Sequence, residues 1–339
     1  MAARKATALD VAKVAGVSRS AVSMVLNGNI KGNVSKDAQE RIRAAAKELN
    51  YLPNPVAVSL RNQRTATLGI VTDEIVTSPF AGRLVSGATN AALARGYMIL
   101  VVDTEHIPGR DELAIEALQH RRVDGLIHAT GGLKPYVPSE LFRSQPSALA
   151  NCFDPEDTLP AVVPDEVTGS RRATELLLGL GHRRIALLGG DDQNAAVLRE
   201  QGYRAAMTVA GLDRHHQRVV VTGWDIDQGY RAAESVLQGP DRPTAILAAN
   251  DRVATGILLH AAAAGIKVPE QLSVVGYDDQ QYVAANLVPA LTTVALPHAE
   301  IGAIAVNSVL DELEGGDRRT ERVLVPCPLI TRQSTAPAG

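Results

Sequence analysis

Residues 7–28 read TALDVAKVAGVSRSAVSMVLNG. Thr7 followed three residues later by Asp10 is a capping box in which Asp takes the place of the commoner Glu or Gln. A helix therefore starts there, with Leu9, Ala12, Val14 and Ala15 as its apolar side. Gly16 stops it. Ser18 then caps a second helix that turns Ala21, Val22, Val25 and Leu26 inward, and Asn27-Gly28 ends it. Two short helices joined by a tight glycine turn form a helix-turn-helix. A third helix is expected from its cap at Ser35 to about Leu49, because Ala38, Ile42, Ala45 and Leu49 recur at helical spacing.

The charge distribution points to a polyanionic partner for this segment, with a solvated basic helical face as the other reading. Residues 1–64 hold eleven Lys or Arg against four acids, a balance of +7, although the whole chain carries −3, so the remainder stands at −10. Placed in a major groove, the second helix presents Ser18, Arg19, Ser20, Ser23 and Met24 opposite its apolar stripe. Arg19 is the best base reader among them, since a guanidinium bonds guanine bidentately; a phosphate contact is the other use open to it. Met24 offers only apolar contact. Thr7, Asn27 and Asn54 complete the candidate DNA contacts of this part of the chain.

These residues, together with RIRAAAKELNYLPNPVAVSL at 41–60 and LITRQST at 329–335, resemble the lactose-repressor and galactose-repressor family of bacterial transcription regulators over nearly the whole chain. The resemblance implies a DNA-binding domain over 1–53, a hinge helix and linker over 54–65, and a two-lobed body over 66–335. Lobe one would comprise about 66–164 and 295–322, and lobe two about 165–294 and 323–335. It also implies that two hinge helices pair on DNA, with Leu60 inserted into the minor groove as an apolar wedge, an insertion repaid by a bent duplex that contacts more protein. A linker leucine packed against the body is the plainer reading of Leu60. A helix this short is marginal alone, which suits a switch. Ala21, Met24 and Val58 depart from the family pattern, which usually has Thr, often Arg and commonly Arg at those positions; Ala21 removes a phosphate-contacting hydroxyl.

From residue 67 the pattern changes. LGIVT, MILVVD, DGLIHA, RIALLGG, VVVTG, AILAAN and SVVGYDD read as buried strands. AGRLVSGATNAALARG, GSRRATELLLGLG, DRVATGILLHAAAAG and AEIGAIAVNSVLDELEGG read as the helices between them. The fold class is α/β: an amino-terminal all-α helix-turn-helix domain with a hinge helix, then a parallel α/β body of the two-lobed periplasmic-binding-protein type. Ligands of such sheets sit beyond the carboxyl ends of strands, which draws attention to Asp73, Trp224, Asn250 and Asp278. The resemblance adds Arg199 in REQGY and Asp251 beside Asn250 in AANDR, and more loosely Phe80 and Asn151. Asp251 serves equally well as a helix cap, Asp279 as a turn residue, and Trp224 as packing. Carboxylates, amides, a forked guanidinium and an aromatic face suit a polyol, so a sugar or sugar derivative is the expected effector; a purine or another polar metabolite also fits.

Enzymatic signatures are missing. GLGHRR at 179–184 follows a helix and precedes a strand, the reverse of a dinucleotide fingerprint, and no GxxxxGK[ST], HExxH or GxSxG occurs. His215 and His216 are adjacent in a polar stretch, poor geometry for a shared metal. Cys152 and Cys327 stand far apart and outside any CxxC, so neither a disulfide framework nor a local zinc site is expected. No cofactor and no metal are expected. No apolar run reaches membrane-spanning length, and MAARKATALD lacks the apolar core of a secretion signal. The expectation is a cytoplasmic, homodimeric, ligand-responsive DNA-binding regulator, most simply a repressor reading a palindromic operator. A small-molecule-binding protein or an enzyme on the same body is the alternative.

Overall fold

The computed structural model describes residues 6–27, 34–52, 64–74, 82–213 and 216–339. The sequence readings at Asn54, Val58, Leu60 and Phe80, and most of the expected hinge, lie outside the described residues. Two compact units are present, Met1–Thr67 and Leu68–Gly339.

The first unit contains α1 (Ala8–Ala15), α2 (Arg19–Leu26) and α3 (Lys36–Glu48). The capping box forms as its residues dictate. The Thr7 N–H donates to Asp10 Oδ2 at 2.9 Å, and the Asp10 N–H donates to Thr7 Oγ1 at 3.4 Å. Gly16 ends α1 with φ at 65°, a left-handed conformation that a side chain would oppose, and its N–H reaches the Ala12 carbonyl. Ser18 and Ser35 cap α2 and α3 through the Ala21 and Ala38 N–H groups. Val11, Ala12, Ala15, Val22, Val25, Ile42, Ala45 and Ala46 make the shared core. Leu9 and Val14 do not join it; each is 52% exposed. At 100° per residue they flank the arc set by Val11, Ala12 and Ala15 on opposite sides, and one short helix has room for only one buried arc.

The second unit holds two six-stranded sheets. In the first, the order runs Arg322–Val325 (β11), Ala161–Pro164 (β5), Ser147–Phe153 (β4), Gly125–Pro135 (β3), Thr67–Thr72 (β1) and Met98–Asp103 (β2). In the second it runs Leu329–Ile330 (β12), Thr292–Ala295 (β10), Ser273–Asp278 (β9), Ala245–Ala248 (β8), Ile185–Leu188 (β6) and Arg218–Val220 (β7). β6 is parallel to both β7 and β8, and β8–β9 and β9–β10 are parallel as well. The β12 edge is antiparallel, a departure from an all-parallel reading. The chain passes between the sheets after β5, after β10 and after β11. Because β11 pairs with β5 from Arg322 to Val325, the last segment of lobe one runs three residues beyond the expected 322.

Helices cover both sheets in close pairs. In lobe one, α4 (Gly82–Ala94) and α5 (Arg110–His120) precede the short α6 (Glu140–Arg143), and α11 (His298–Leu313) packs on α4. In lobe two, α7 (Glu166–Gly179) packs on α8 (Asn194–Val209), and α9 (Ile226–Val236) on α10 (Asp251–Ala263). A glycine sits at the crossing of α7 and α8. A Cβ at Gly202 would press on the Val167 carbonyl oxygen and lie 2.8 Å from the Arg171 nitrogen. That close approach is what brings the first turns of the two helices within side-chain reach.

Candidate functional site

In α2, Val22 and Val25 face the core, while Ser18, Arg19 and Ser20 are exposed and Ser23 and Met24 half-buried. The stripe expected to face DNA is therefore open on the unit's surface. Two other candidates are already engaged locally. The Thr7 hydroxyl donates to Asp10 Oδ2 at 2.7 Å, and Asn27 Nδ2 donates to the Ser23 carbonyl at 2.6 Å.

The floor of the second site lies in lobe two. Arg199 enters from the first turns of α8 and is buried. Its Nε and Nη2 donate to the two oxygens of Glu166 at 2.9 and 3.0 Å, its Nη1 donates to the Ala249 carbonyl, and its guanidinium stacks 3.7 Å over the Tyr277 ring. Asp278, at the carboxyl end of β9, stands 3.8 Å from Arg199 Nη2. Its φ is 110°, a region that non-glycine residues rarely adopt and that is retained where surrounding structure enforces it. Asn250 caps α10 by accepting the Val253 N–H at 2.8 Å, and its amide donates to the Trp224 carbonyl at 3.0 Å. The indole N–H of Trp224 donates to Asp191 at 3.0 Å. Asn250, not Asp251, is thus the helix cap. Asp251 is fully buried, accepting the Thr293 hydroxyl at 2.6 Å and the Gln280 N–H at 2.7 Å, and so ties α10 to the segments after β9 and in β10. Asp279 pairs with Arg332 at 2.7 Å.

The roof lies in lobe one. Beyond Ala129 the pairing of β3 with β4 shifts register before resuming at Lys134. Asp73 and Asn151 hold the irregular segment: Asp73 accepts the Gly131 N–H at 2.9 Å and pairs with Lys134 at 2.5 Å, while Asn151 donates to the Thr130 and Gly131 carbonyls at 2.9 and 3.2 Å. Between floor and roof is a cleft of about 380 Å³. Of the eight sequence candidates, Asp73, Asn151, Arg199, Trp224, Asn250 and Asp278 line it together, Asp251 is buried behind it, and Phe80 is outside the described residues.

Sequence reasoning missed Glu166, Lys134, Asp191 and Arg252, which also line the cleft. Glu166 stands 33 residues from Arg199 on a different helix, and Lys134 lies in a stretch without regular alternation. His128 faces elsewhere, stacked 3.6 Å from the Tyr136 ring and only 3% exposed. Burial lowers its pKa to about 4, so it is neutral.

Burial also governs the floor. It opposes charge on Arg199, but the Glu166 carboxylate more than compensates and holds the guanidinium firmly ionised. Burial pushes Asp278 well above the usual carboxylate range against the pull of Arg199, and lifts Asp251 to about 6. Cys152 and Cys327 are free and buried, and burial pushes both thiols up to about 12. Among the described residues, no group of three or more His, Cys, Asp or Glu is placed to hold a metal ion, and no helix is long and apolar enough to cross a membrane.

Comparison with known proteins gives these two sites a context. Residues 7–54 match the description "Bacterial regulatory proteins, lacI family", and residues 174–335 match "Periplasmic binding protein-like domain". The chain is similar to the ribose operon repressor of Escherichia coli (strain K12), with 34% identity over 334 residues, which covers 97% of this chain and 99% of that protein. It is also similar to the lac repressor dimer solved bound to operator and the anti-inducer ONPF. The TM-score there is 0.77 at 28% identity, covering 98% of this chain and 100% of that one. A third likeness is to the transcriptional regulator CelR in complex with cellobiose, with a TM-score of 0.67 at 30% identity, covering 97% and 99%.

Proposed function

The chain belongs to the lacI family of bacterial regulatory proteins, and from that footing we propose that it is a cytoplasmic homodimer whose affinity for operator DNA is set by a sugar or sugar derivative held between the lobes. The observation that carries this reading is the cleft itself. Asp73, Asn151, Arg199, Trp224, Asn250 and Asp278 come from separate parts of the chain, belong to both lobes, and face one space of sugar size. Trp224 supplies an aromatic face, the amides and carboxyls supply acceptors and donors, and the paired Arg199 orients the floor.

In this reading residues 1–53 bind DNA, 54–65 form the hinge and 66–335 bind effector and dimerise. The contacts to DNA come from Thr7, Ser18, Arg19, Ser20, Ser23, Met24, Asn27, Asn54 and Leu60. Arg19 is the direct base reader. Two copies reading a palindrome give the affinity that a single helix-turn-helix lacks. Effector acts by preferring one arrangement of the lobes over the other, because only a difference in affinity between states shifts an equilibrium. The names of the ribose and cellobiose relatives support a sugar as effector.

The chain has one tryptophan, and it lines the cleft. Titration of pentoses, hexoses and disaccharides against its fluorescence therefore reads the site without a label. A saturable change that Arg199→Ala abolishes is the expected result. A full sugar panel with no change would refute the assignment.

A further inference from the structure

Three carboxylates are buried in the floor of lobe two, those of Glu166, Asp251 and Asp278, and a buried cation, Arg199, stands among them. The cation is not shared evenly. Glu166 takes Nε and Nη2 through both its oxygens, and Nη1 is spent on the Ala249 carbonyl. Asp251 has two donors of its own, the Thr293 hydroxyl and the Gln280 N–H. Among the described residues, Asp278 has only the Arg199 edge at 3.8 Å, beyond hydrogen-bond reach.

The remaining groups around Asp278 do not restore the balance. Tyr277, beside it on β9, is kept a neutral phenol by burial. Arg252 on α10 pulls Asp278 toward ionisation but is paired with Asp225 at 3.1 Å, and Arg332 is paired with Asp279. Across the cleft, Lys134 is taken by Asp73, and within lobe two Asp191 is taken by the Trp224 indole. A carboxylate withdrawn from water, short of donors and close to two other carboxylates, is relieved by taking up a proton.

We propose that Asp278 stands at neutral pH as a carboxylic acid and meets the effector as an O–H donor, so that the cleft selects ligands that present an acceptor oxygen at this point. The inference rests on reading the cleft as the effector site. Its consequence is a pH-dependent response. An effector that binds the protonated form loses affinity tenfold for each pH unit above the midpoint of Asp278. Loss of the Asp278 proton thus desensitises the regulator to effector.

Full-length protein carrying 13C at the aspartate carboxyl carbons, titrated from pH 4.5 to 9 without any sugar, tests the protonation directly. One resonance is expected to hold the protonated position at pH 7 and to move only above it, and Asp278→Asn should remove that resonance. If the variant does not fold, the wild-type spectrum decides alone. No aspartate carbon with a midpoint above 7 overturns the inference, as does assignment of such a carbon to a residue other than Asp278. Because no ligand is present, a failure of sugar binding in the Trp224 assay sinks the effector reading without altering this result. Where a sugar binds, its affinity for wild type should fall with pH while that of Asp278→Asn stays level; parallel profiles would overturn the donor role.

Discussion

Gly202→Ala should disassemble the floor of the cleft from a position that does not touch it. The new Cβ would lie 2.8 Å from the Arg171 nitrogen, 3.0 Å from the Ser170 Cβ and nearer still to the Val167 carbonyl oxygen. Backbone atoms cannot swing aside, so α8 must move from α7 by about 1 Å to restore ordinary contact distances of ~3.5 Å. Arg199 lies one turn before Gly202 on the same helix, and its bonds to Glu166 are 2.9 and 3.0 Å. An added ångström takes both past hydrogen-bond reach. Overpacking of this kind costs about 1–3 kcal/mol, and the weakened buried pair brings the total to roughly 2–5 kcal/mol. At ~2–4 °C per kcal/mol for a body of this size, Tm should fall by about 4–20 °C. Gly179→Ala is the control: it sits in α7 with nothing within 4 Å of the new Cβ, and should be neutral or stabilising by up to about 1 kcal/mol. The measurement is thermal unfolding followed by Trp224 fluorescence, with sugar titration at 25 °C. A Tm for Gly202→Ala within 1 °C of wild type, with sugar affinity intact, would show that the helix approach does not position Arg199.

Other consequences are as specific. Arg19→Ala should relax base preference at one position of each half-site by about 1–3 kcal/mol; a uniform loss over all sequences in a binding-site selection would make Arg19 a phosphate contact. Arg199→Lys should destabilise lobe two by about 3–5 kcal/mol in denaturant unfolding, because one ammonium cannot serve both oxygens of Glu166 and the Ala249 carbonyl; wild-type stability would refute the bidentate role. His128 binds its proton only near pH 4 when folded, whereas an unfolded histidine does so near 6.5. The unfolded chain therefore holds more protons between those values, and stability falls as pH drops through that window, by about 1.4 kcal/mol per unit. His128→Phe keeps the ring against Tyr136 and should flatten this slope; an unchanged profile of Tm between pH 4 and 6.5 would contradict it.

Much of the architecture was legible because local chemistry encodes it. Thr7, Asp10, Gly16, Ser18 and Ser35 each act on groups within five residues, so the caps and the turn could be read from spacing alone. The strand ends were legible for a similar reason. A short apolar run followed by Asp73, Asn250 or Asp278 marks where a buried strand meets the cleft. What escaped was set by tertiary contact. Glu166 becomes a floor residue only because Gly202 lets two helices touch, and nothing in PDEVTG announces an arginine 33 residues away. Asn250 rather than Asp251 took the cap role because one residue of helical phase decides which side-chain oxygen faces the Val253 N–H. Lys134 comes into the cleft through a register shift in β3 that has no period to detect. The exposure of Leu9 and Val14 shows the limit of apolar counting in an eight-residue helix, where only one arc is buried.

Selection of DNA from a random pool by the full-length protein at near-physiological salt tests the central claim most directly, since high enough salt suppresses the purely electrostatic binding that any basic segment shows. Enrichment of a palindrome with two half-sites is expected, released or strengthened by a sugar that also changes Trp224 fluorescence. Recovery of no common sequence, both without sugar and across the sugar panel, would contradict it.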